Sequence, residues 1–568
     1  MLRQLYTDQL QKLVDALYME NVDGFCDSLR FSGAVLSVRL DDAMSLGFSC
    51  RMQEGLRPYR VQDDDVRLQD ERQGTRCRIS PREVMPYLVQ ASWWPEAGRE
   101  RAVQWWQECF DFLEHLPARL PSARDAATSP LAASECFAMM ADRPFHPFAH
   151  AKGALARLVT DSPRLHWWAL PPGSLLSKQS RQPAELLLSE AEQAALSVRL
   201  RHLAPGYVAL PLLPTQHRLL LSESNTFGAV DLIFTTATGS PTSSLRTLAS
   251  ARNERMHIKL STSASTLGAI RSMPPRYLVN GDEACRLLTQ ILERDSALTS
   301  AITLCDEHHW WVAGREQVLV RNPGLLGCQI RFLPPFDQAP SSRLLAMSAL
   351  SYPHEPVWRR LLDGDADPWQ ALQDLSRCFI NTFLNLWCHG VMPECHGQNV
   401  LARYQHRQLH GFVLRDHDTL RICPARLTRL GLPLPDYQID WTTPNSLVLA
   451  SMEELLAYFT TLGLQVNLYP IALAALRHSN RTEADFWRWV RTCIEDYAAA
   501  LQDEELGRIL SDSLLNAKAW PFKQVLGPLL TRPGASTGMP SAMGSIRNPL
   551  LPLPAPRPPT AEPMHEAS

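Results

Sequence analysis

Apolar residues recur along this chain with two periods, and the change from one to the other predicts its elements. Residues 1–22 carry Leu10, Leu13 and Leu17 on one side of a helical pattern, with Asp8, Lys12, Asp15 and Glu20 interspersed. Residues 101–116 repeat that spacing with Val103, Trp106, Phe110 and Leu113, so residues 1–132 read as a helix-rich domain. A polar, Pro- and Ala-containing passage at 117–134 reads as a connection. Residues 133–350 are mixed, with strands predicted at 207–213, 230–236 and 256–261 and a helix at 282–298. A long helix starts at Asp367, an N-cap followed by Pro368, and stops at Gly390. Its buried stripe is Leu372, Leu375, Phe379, Phe383 and Leu386. Strands at 398–404 and 409–415 follow, and the remainder of a 351–532 domain is mostly helical. The fold class predicted is α+β, without internal repeats.

Composition narrows the picture. The 568 residues hold 56 Lys and Arg against 59 Asp and Glu, so the net charge is −3 and nothing global draws the chain to nucleic acid or an anionic membrane. The 13 cysteines include no CxxC pair, which argues for reduced thiols and against zinc ribbons and iron–sulfur patterns. Residues 1–22 lack the apolar centre of a signal peptide, and no run approaches the roughly 20 apolar residues of a membrane span. A cytoplasmic, soluble protein is expected. Residues 533–568 hold nine of the 43 prolines and are expected to form a disordered tail.

Familiar catalytic motifs are mostly missing. There is no GxxxxGK[ST], GxGxxG or HExxH, and the one GxSxG match, at 534–538, lies in the Pro-rich tail without strand or helix around it. His308-His309 beside Trp310-Trp311 reads as a partly buried His/aromatic cluster rather than a metal site, and for His146 and His150, four apart with Pro147 between them, the reading is against a metal role.

Three segments instead set charged residues inside apolar, strand-like runs. In 241–248 (PTSSLRTL) Ser244 and Arg246 share a face if extended. In 256–261 (MHIKLS) Lys259 shares a face with His257 and Ser261, and Arg271 follows a small-residue passage. The two strands are close enough to pair, which brings Arg246 beside Lys259. Like charges so placed repel unless an anion such as a polyphosphate lies between them. The alternative is a solvated sheet face. The third segment is 393–400 (PECHGQNV) with 409–418 (LHGFVLRDHD). Here Glu394 and Asp416 are candidate ligands for Mg²⁺, with Asp418 a weaker third, and His396 and Asn399 are candidate donors to phosphate or carboxylate oxygens. The alternative is a buried Glu–His–Arg network supporting a hairpin.

Taken in order, SSLRT (243–247), HIKL (257–260), Arg271, ECHGQN (394–399) and RDHD (415–418) resemble the NRPS-independent siderophore synthetase family of the IucA/IucC, aerobactin synthetase type. His146-Pro147 is similar to that family's upstream His-Pro motif. The resemblance implies a three-part, cupped-hand fold and ATP-dependent adenylation of citrate or a citrate derivative, followed by attack of an amine or alcohol. It implies that Ser244, Arg246, Thr247, Lys259 and Arg271 bind the triphosphate and that His396 and Asn399 touch nucleotide and substrate. Glu394 and Asp416 then lie in the Mg²⁺ region and His146 in the carboxylate pocket, and the protein is a homodimer.

The chain departs from the family upstream. Residues 142–145 read Asp-Arg-Pro-Phe where the family has Gly-His-Pro, and His150 stands where a Lys is expected, with Lys152 two further on. Leu213-Pro214-Thr215-Gln216 replaces His-Pro-Trp-Gln. These changes bear on the acceptor pocket more than on the nucleotide site. Three competing readings are a small-molecule phosphotransferase, a catalytically degenerate binding protein, and iron reduction on a cysteine-held cluster.

Overall fold

A computed structural model describes residues 1–552 apart from 117–120, 122–128, 142, 161–162, 223–227, 238, 316–318, 336–341, 356, 363–366, 443–445, 533 and 535–537. The expectations placed on Asp142, on most of the 117–134 connection, on Ser536 of the GxSxG match and on 553–568 therefore lie outside the described residues.

The N-terminal region is less helical than its spacing predicts. Helix Leu2–Glu20 buries Leu10, Leu13 and Leu17, and Arg99–His115 buries Trp106, Phe110 and Leu113, as expected. Between them runs a five-stranded antiparallel sheet in sequence order: Leu29–Ser32, Val35–Arg39, Met44–Met52, Tyr59–Asp70 and Thr75–Ile79. Two features hid it. Strand Tyr59–Asp70 carries three consecutive aspartates, and a bulge opposite Phe48–Cys50 breaks the two-residue period. The helices and sheet share a core that includes Leu13, Phe48, Val66 and Trp106.

The middle region holds two sheets. Strands Val208–Leu212 and Val230–Ala237, both expected, flank Arg164–Leu170. A six-stranded sheet runs in the order Gly239–Pro241, Thr247–Ser250, Met256–Leu260, Gly327–Phe332, Asp306–Ala313 and Leu175–Leu176. Met256–Leu260 is central, and all five of its residues are buried. The helix predicted at 282–298 starts earlier, as Pro275–Arg294, and Asp295 caps a second helix, Ser296–Ala301.

Helix Pro368–Cys388 matches its prediction: the Asp367 carboxylate accepts from the Trp369 N–H, and the whole expected stripe is buried. The predicted hairpin is Val400–Gln405 paired with Gln408–Leu414. It sits inside a four-stranded sheet, with Ile302–Leu304 parallel on one side and Ser342–Ala346 antiparallel on the other. The boundary expected at residue 350 runs through that sheet, and one hydrophobic core extends across it from Leu5 to Leu550.

Two further expectations need correction. Residues 452–476 form one helix long and apolar enough to cross a membrane, but 83% of its most apolar stretch is buried inside the protein. The Pro-rich tail begins later than Pro533. Ala542–Arg547 pairs with Ala519–Gln524, and Ile546 helps to cover Trp520. Asn548 is fully buried, its amide donating to the Leu514 and Ala517 carbonyls at 2.8 Å each. Apolar residues between the prolines give this segment a surface to bury, which proline count alone conceals.

Candidate active site

The site starts from a turn. The Thr242 hydroxyl accepts from the Ser244 N–H (3.3 Å) and donates to the Thr247 carbonyl (3.0 Å), and the Thr247 N–H reaches the Ser244 carbonyl at 2.6 Å. Ser244 and Arg246 are therefore turn residues rather than neighbours on a strand, which begins only at Thr247. Pairing of the two strands is as expected: Thr247 lies opposite Lys259, and the Leu260 N–H bonds the Arg246 carbonyl at 2.9 Å. The Arg246 guanidinium donates to the Arg271 and Ser272 carbonyls at 3.0 and 2.7 Å, and Arg271 Nε donates to Thr266 Oγ1 at 2.7 Å. Uncharged oxygens thus help to aim both guanidinium groups.

The opposite wall comes from beyond residue 390. Asp416 sits in the left-handed region at φ 60°, a conformation Asp tolerates better than most residues. Its carboxylate takes Lys259 Nζ at 2.7 Å and also pairs with Arg331. Burial would raise the Asp416 pKa, but Arg331 and Lys259 hold it well below the usual carboxylate range. Glu394 lies 3.2 Å from Arg421 and 3.5 Å from His396, and the hydrogen bond with His396 and the charge of Arg421 outweigh burial to keep it ionised. Asp418 differs. It forms no ion pair among the described residues, and burial, with Asp416, Glu307 and Glu394 nearby, pushes it up to about 6 against the pull of Lys259.

The two walls enclose a cavity of about 210 Å³. Ser244, Arg246, Lys259 and Arg271 line it from the middle region, and Glu394, His396, Asn399, Asp416 and Asp418 line it from the C-terminal region. Two predicted residues are not on the wall. Thr247 is buried behind Ser244, its hydroxyl 3.4 Å from Ser244 Oγ, and His146 is buried with its Nδ1 accepting from the Phe148 N–H at 3.1 Å. Arg143 and Lys152, on either side of His146, line the cavity instead.

Sequence reasoning missed the residue that joins the walls. Glu135, on helix Pro130–Ala141, is buried; one oxygen accepts from Arg415 at 2.6 Å and the other from the Ser243 N–H at 2.9 Å. Burial would raise its pKa, but Arg415, then His257, hold it down at about 2. Glu307 has a similar post behind Asp416, accepting the Asp416 and His417 N–H groups at 2.8 and 3.2 Å and pairing with Arg331. A lone Glu in a helical run gives no signal of such a role.

Among the described residues no group of three or more His, Cys, Asp or Glu side chains is arranged to hold a metal by itself. Mg²⁺ needs only one or two protein oxygens beside phosphate and water, so this donor set fits it. Since Glu394 and Asp416 are engaged by cations, Asp418 is the carboxylate with the most unused capacity.

Residues 131–352 match the model of the IucA / IucC family, and residues 372–536 match that of the ferric iron reductase FhuF-like transporter family. Within the second stretch burial raises Cys388, Cys395 and Cys493 to about 11, 12 and 11. The staphyloferrin B synthase of Staphylococcus aureus (strain NCTC 8325 / PS 47) is 30% identical over 460 residues, spanning 76% of this chain and 79% of that protein. The crystal structure of the petrobactin biosynthesis protein AsbB from Bacillus anthracis str. Sterne superposes with a TM-score of 0.77 at 16% identity, covering 96% of this chain and 95% of that one. ATP-bound aerobactin synthetase IucA from a hypervirulent pathotype of Klebsiella pneumoniae gives 0.68 at 18% identity, covering 95% and 99%.

Proposed function

The chain belongs to the IucA/IucC family, and from that premise we propose that it is an ATP-dependent siderophore synthetase, a ligase that adenylates a carboxylate and condenses it with an amine or alcohol. The carboxylate is citrate or a citrate derivative, and the enzyme works in the cytoplasm as a homodimer. The observation that carries this reading is the convergence of Arg246, Lys259 and Arg271 with His396, Asn399, Asp416 and Asp418 in one cavity.

The chemistry asks for such a wall. Attack of a carboxylate oxygen on the α-phosphorus of ATP forms the acyl-adenylate and releases pyrophosphate, so negative charge grows on the leaving group. Lys259, Arg246 and Arg271 are held where they meet that charge, already oriented by Asp416 and by backbone carbonyls. Ser244 and Asn399 supply neutral donors, and His396, beside Glu394, supplies one for a phosphate or carboxylate oxygen. Mg²⁺, when bound, neutralises the polyphosphate; Asp418, with Asp416 and Glu394 near it, is the residue that would hold it. Arg143 and Lys152 give the acid a cationic end of the cavity, in place of the family's histidine and lysine. The adenylate then passes its acyl group to the amine or alcohol, with AMP leaving.

Incubation with ATP, Mg²⁺, a panel of carboxylic acids and hydroxylamine tests the reading. Hydroxamate with stoichiometric pyrophosphate is expected; ADP in place of AMP and pyrophosphate would instead mean a phosphotransferase.

A further inference from the structure

Leu213-Pro214-Thr215-Gln216, the stretch that departs from the family pattern, leads into helix Pro214–Ser222. None of the four lines the phosphate cavity. Two of them hold the chain that carries Arg271 instead. After strand Met256–Leu260 the backbone leaves the six-stranded sheet, makes a short hairpin of Ser265–Thr266 with Ala269–Ile270, and returns at Arg271. The base of this excursion is closed by the Thr262 N–H on the Arg271 carbonyl and the Arg271 N–H on the Ala264 carbonyl, both at 3.1 Å. The same Arg271 carbonyl accepts from the Arg246 guanidinium at 3.0 Å, so the placing of Thr262 bears on both cations.

Thr262 is fully buried, and its hydroxyl is committed twice: it accepts from the Ala264 N–H at 3.2 Å and shares a hydrogen bond with the Thr215 hydroxyl at 3.0 Å. One residue on, Gln216 Oε1 accepts from the Ser263 N–H at 2.9 Å. Gln216 is fully buried too, and its amide nitrogen has no partner among the described residues. A buried donor left unpaired is costly, so this side chain is held for the acceptor it offers Ser263 rather than for stability. The helix is itself anchored. The Trp168 indole donates to His217 Nδ1 at 3.0 Å, and the His166 and His217 rings stack with their centroids 3.8 Å apart. Strand Arg164–Leu170 thus backs the helix, the helix backs the excursion, and the excursion sets two guanidinium groups.

We propose that Thr215 and Gln216 are positioning residues: they touch no ligand and, through Thr262 and Ser263, fix Arg271 and Arg246 against the polyphosphate. The reaction they serve is that of the synthetase reading, on which this rests; the anion for which they aim the two cations can be tested without turnover. Charge stabilisation depends on such pre-set geometry, and a small displacement of a cation from its anion is felt in the rate.

The test compares Thr215→Val, which keeps the shape and loses the hydroxyl, with Thr215→Ser, which keeps the hydroxyl. Each full-length variant is titrated calorimetrically with pyrophosphate, assayed for pyrophosphate release from ATP in the hydroxamate reaction, and melted. Thr215→Val is expected to bind pyrophosphate about fivefold more weakly and to lower kcat about tenfold while remaining folded at the assay temperature, and Thr215→Ser to match the unaltered chain. Thr262→Val loses at least as much, and the Thr215→Val/Thr262→Val double variant loses no more than Thr262→Val alone, because the two hydroxyls act as one unit. Gln216→Met, which keeps the length and loses the acceptor, behaves like Thr215→Val; if it does not fold, the Thr215 pair decides alone. A lowered melting temperature with unchanged affinity and kcat in Thr215→Val would mark a merely structural contact and overturn the proposal. So would a Thr215→Ser variant as impaired as Thr215→Val, additive losses in the double variant, or no pyrophosphate binding by the unaltered chain. Pyrophosphate binding with this dependence on Thr215, but no hydroxamate, would remove only the synthetase reading.

Discussion

Lys259 is nearly buried, yet it faces a cavity and, among the described residues, forms one ion pair, with Asp416, so its charge is shared between the carboxylates there and whatever fills the space. Removing it takes away a contact that strengthens as pyrophosphate leaves. Lys259→Ala and Arg246→Ala are each expected to lower pyrophosphate release by about 10²-fold or more, and near-normal turnover in either would exclude the site. Glu135 makes a different prediction because it touches no substrate. Glu135→Gln leaves Arg415 buried without its counter-charge, and should cost about 3–5 kcal/mol in urea unfolding. Its sign with pH follows from its depressed pKa. The stabilisation is present above the ordinary value of 4.5 and is lost as pH falls towards about 2. His257 adds to this from a higher pH. Burial holds its imidazole down at about 3, so the unfolded chain takes up a proton between 6.5 and 3 that the folded chain refuses. The melting temperature should therefore fall as pH drops below 6.5 and fall more steeply below 4.5. His257→Leu should flatten the upper part of that curve, and an unchanged curve would reject His257 as the cause.

Among elements, the hairpin Ala519–Gln524 with Ala542–Arg547 is the least obvious from sequence and the easiest to test. Asn548→Ala takes the Asn548 donor from the Ala517 carbonyl and one of two from the Leu514 carbonyl, which keeps the Trp520 indole N–H, and should destabilise the protein by about 1–3 kcal/mol, read from chemical unfolding. Ending the chain at residue 541 should lower the unfolding midpoint. What the sequence revealed here follows from how each element declares itself. Helix Pro368–Cys388 was legible because its cap, first-turn proline and apolar stripe agree. Strand Met256–Leu260 was legible through Lys259, a charge in an apolar run. The five-stranded sheet was not, because its outer face is charged and a bulge shifts its period. The turn at Ser244–Arg246 was read as strand because the Thr242 hydroxyl bonds that make it are invisible to a two-residue pattern.

At the scale of the molecule, parts distant in sequence are tied by buried carboxylates. Glu20, at the end of the first helix, accepts the Val525, Leu526 and Gly527 N–H groups at 2.8–2.9 Å, and Glu483 reaches back to the Leu56 N–H. The cation set and the ECHGQN–RD pair could be grouped from sequence by resemblance, but Glu135 and Glu307, which hold the two walls at a fixed distance, could not. Nothing local marks them; their partners lie in other parts of the chain.

The four-stranded sheet has a consequence for how such proteins can be recombined. Ser342–Ala346 and Ile302–Leu304 belong to one half of the sequence and Val400–Gln405 and Gln408–Leu414 to the other, yet they hydrogen-bond as one surface. A chimera that switches parent near residue 350 would graft foreign strands onto both edges of that hairpin. Parents whose edge strands have diverged would give insoluble progeny, however well the two halves fold in their own contexts.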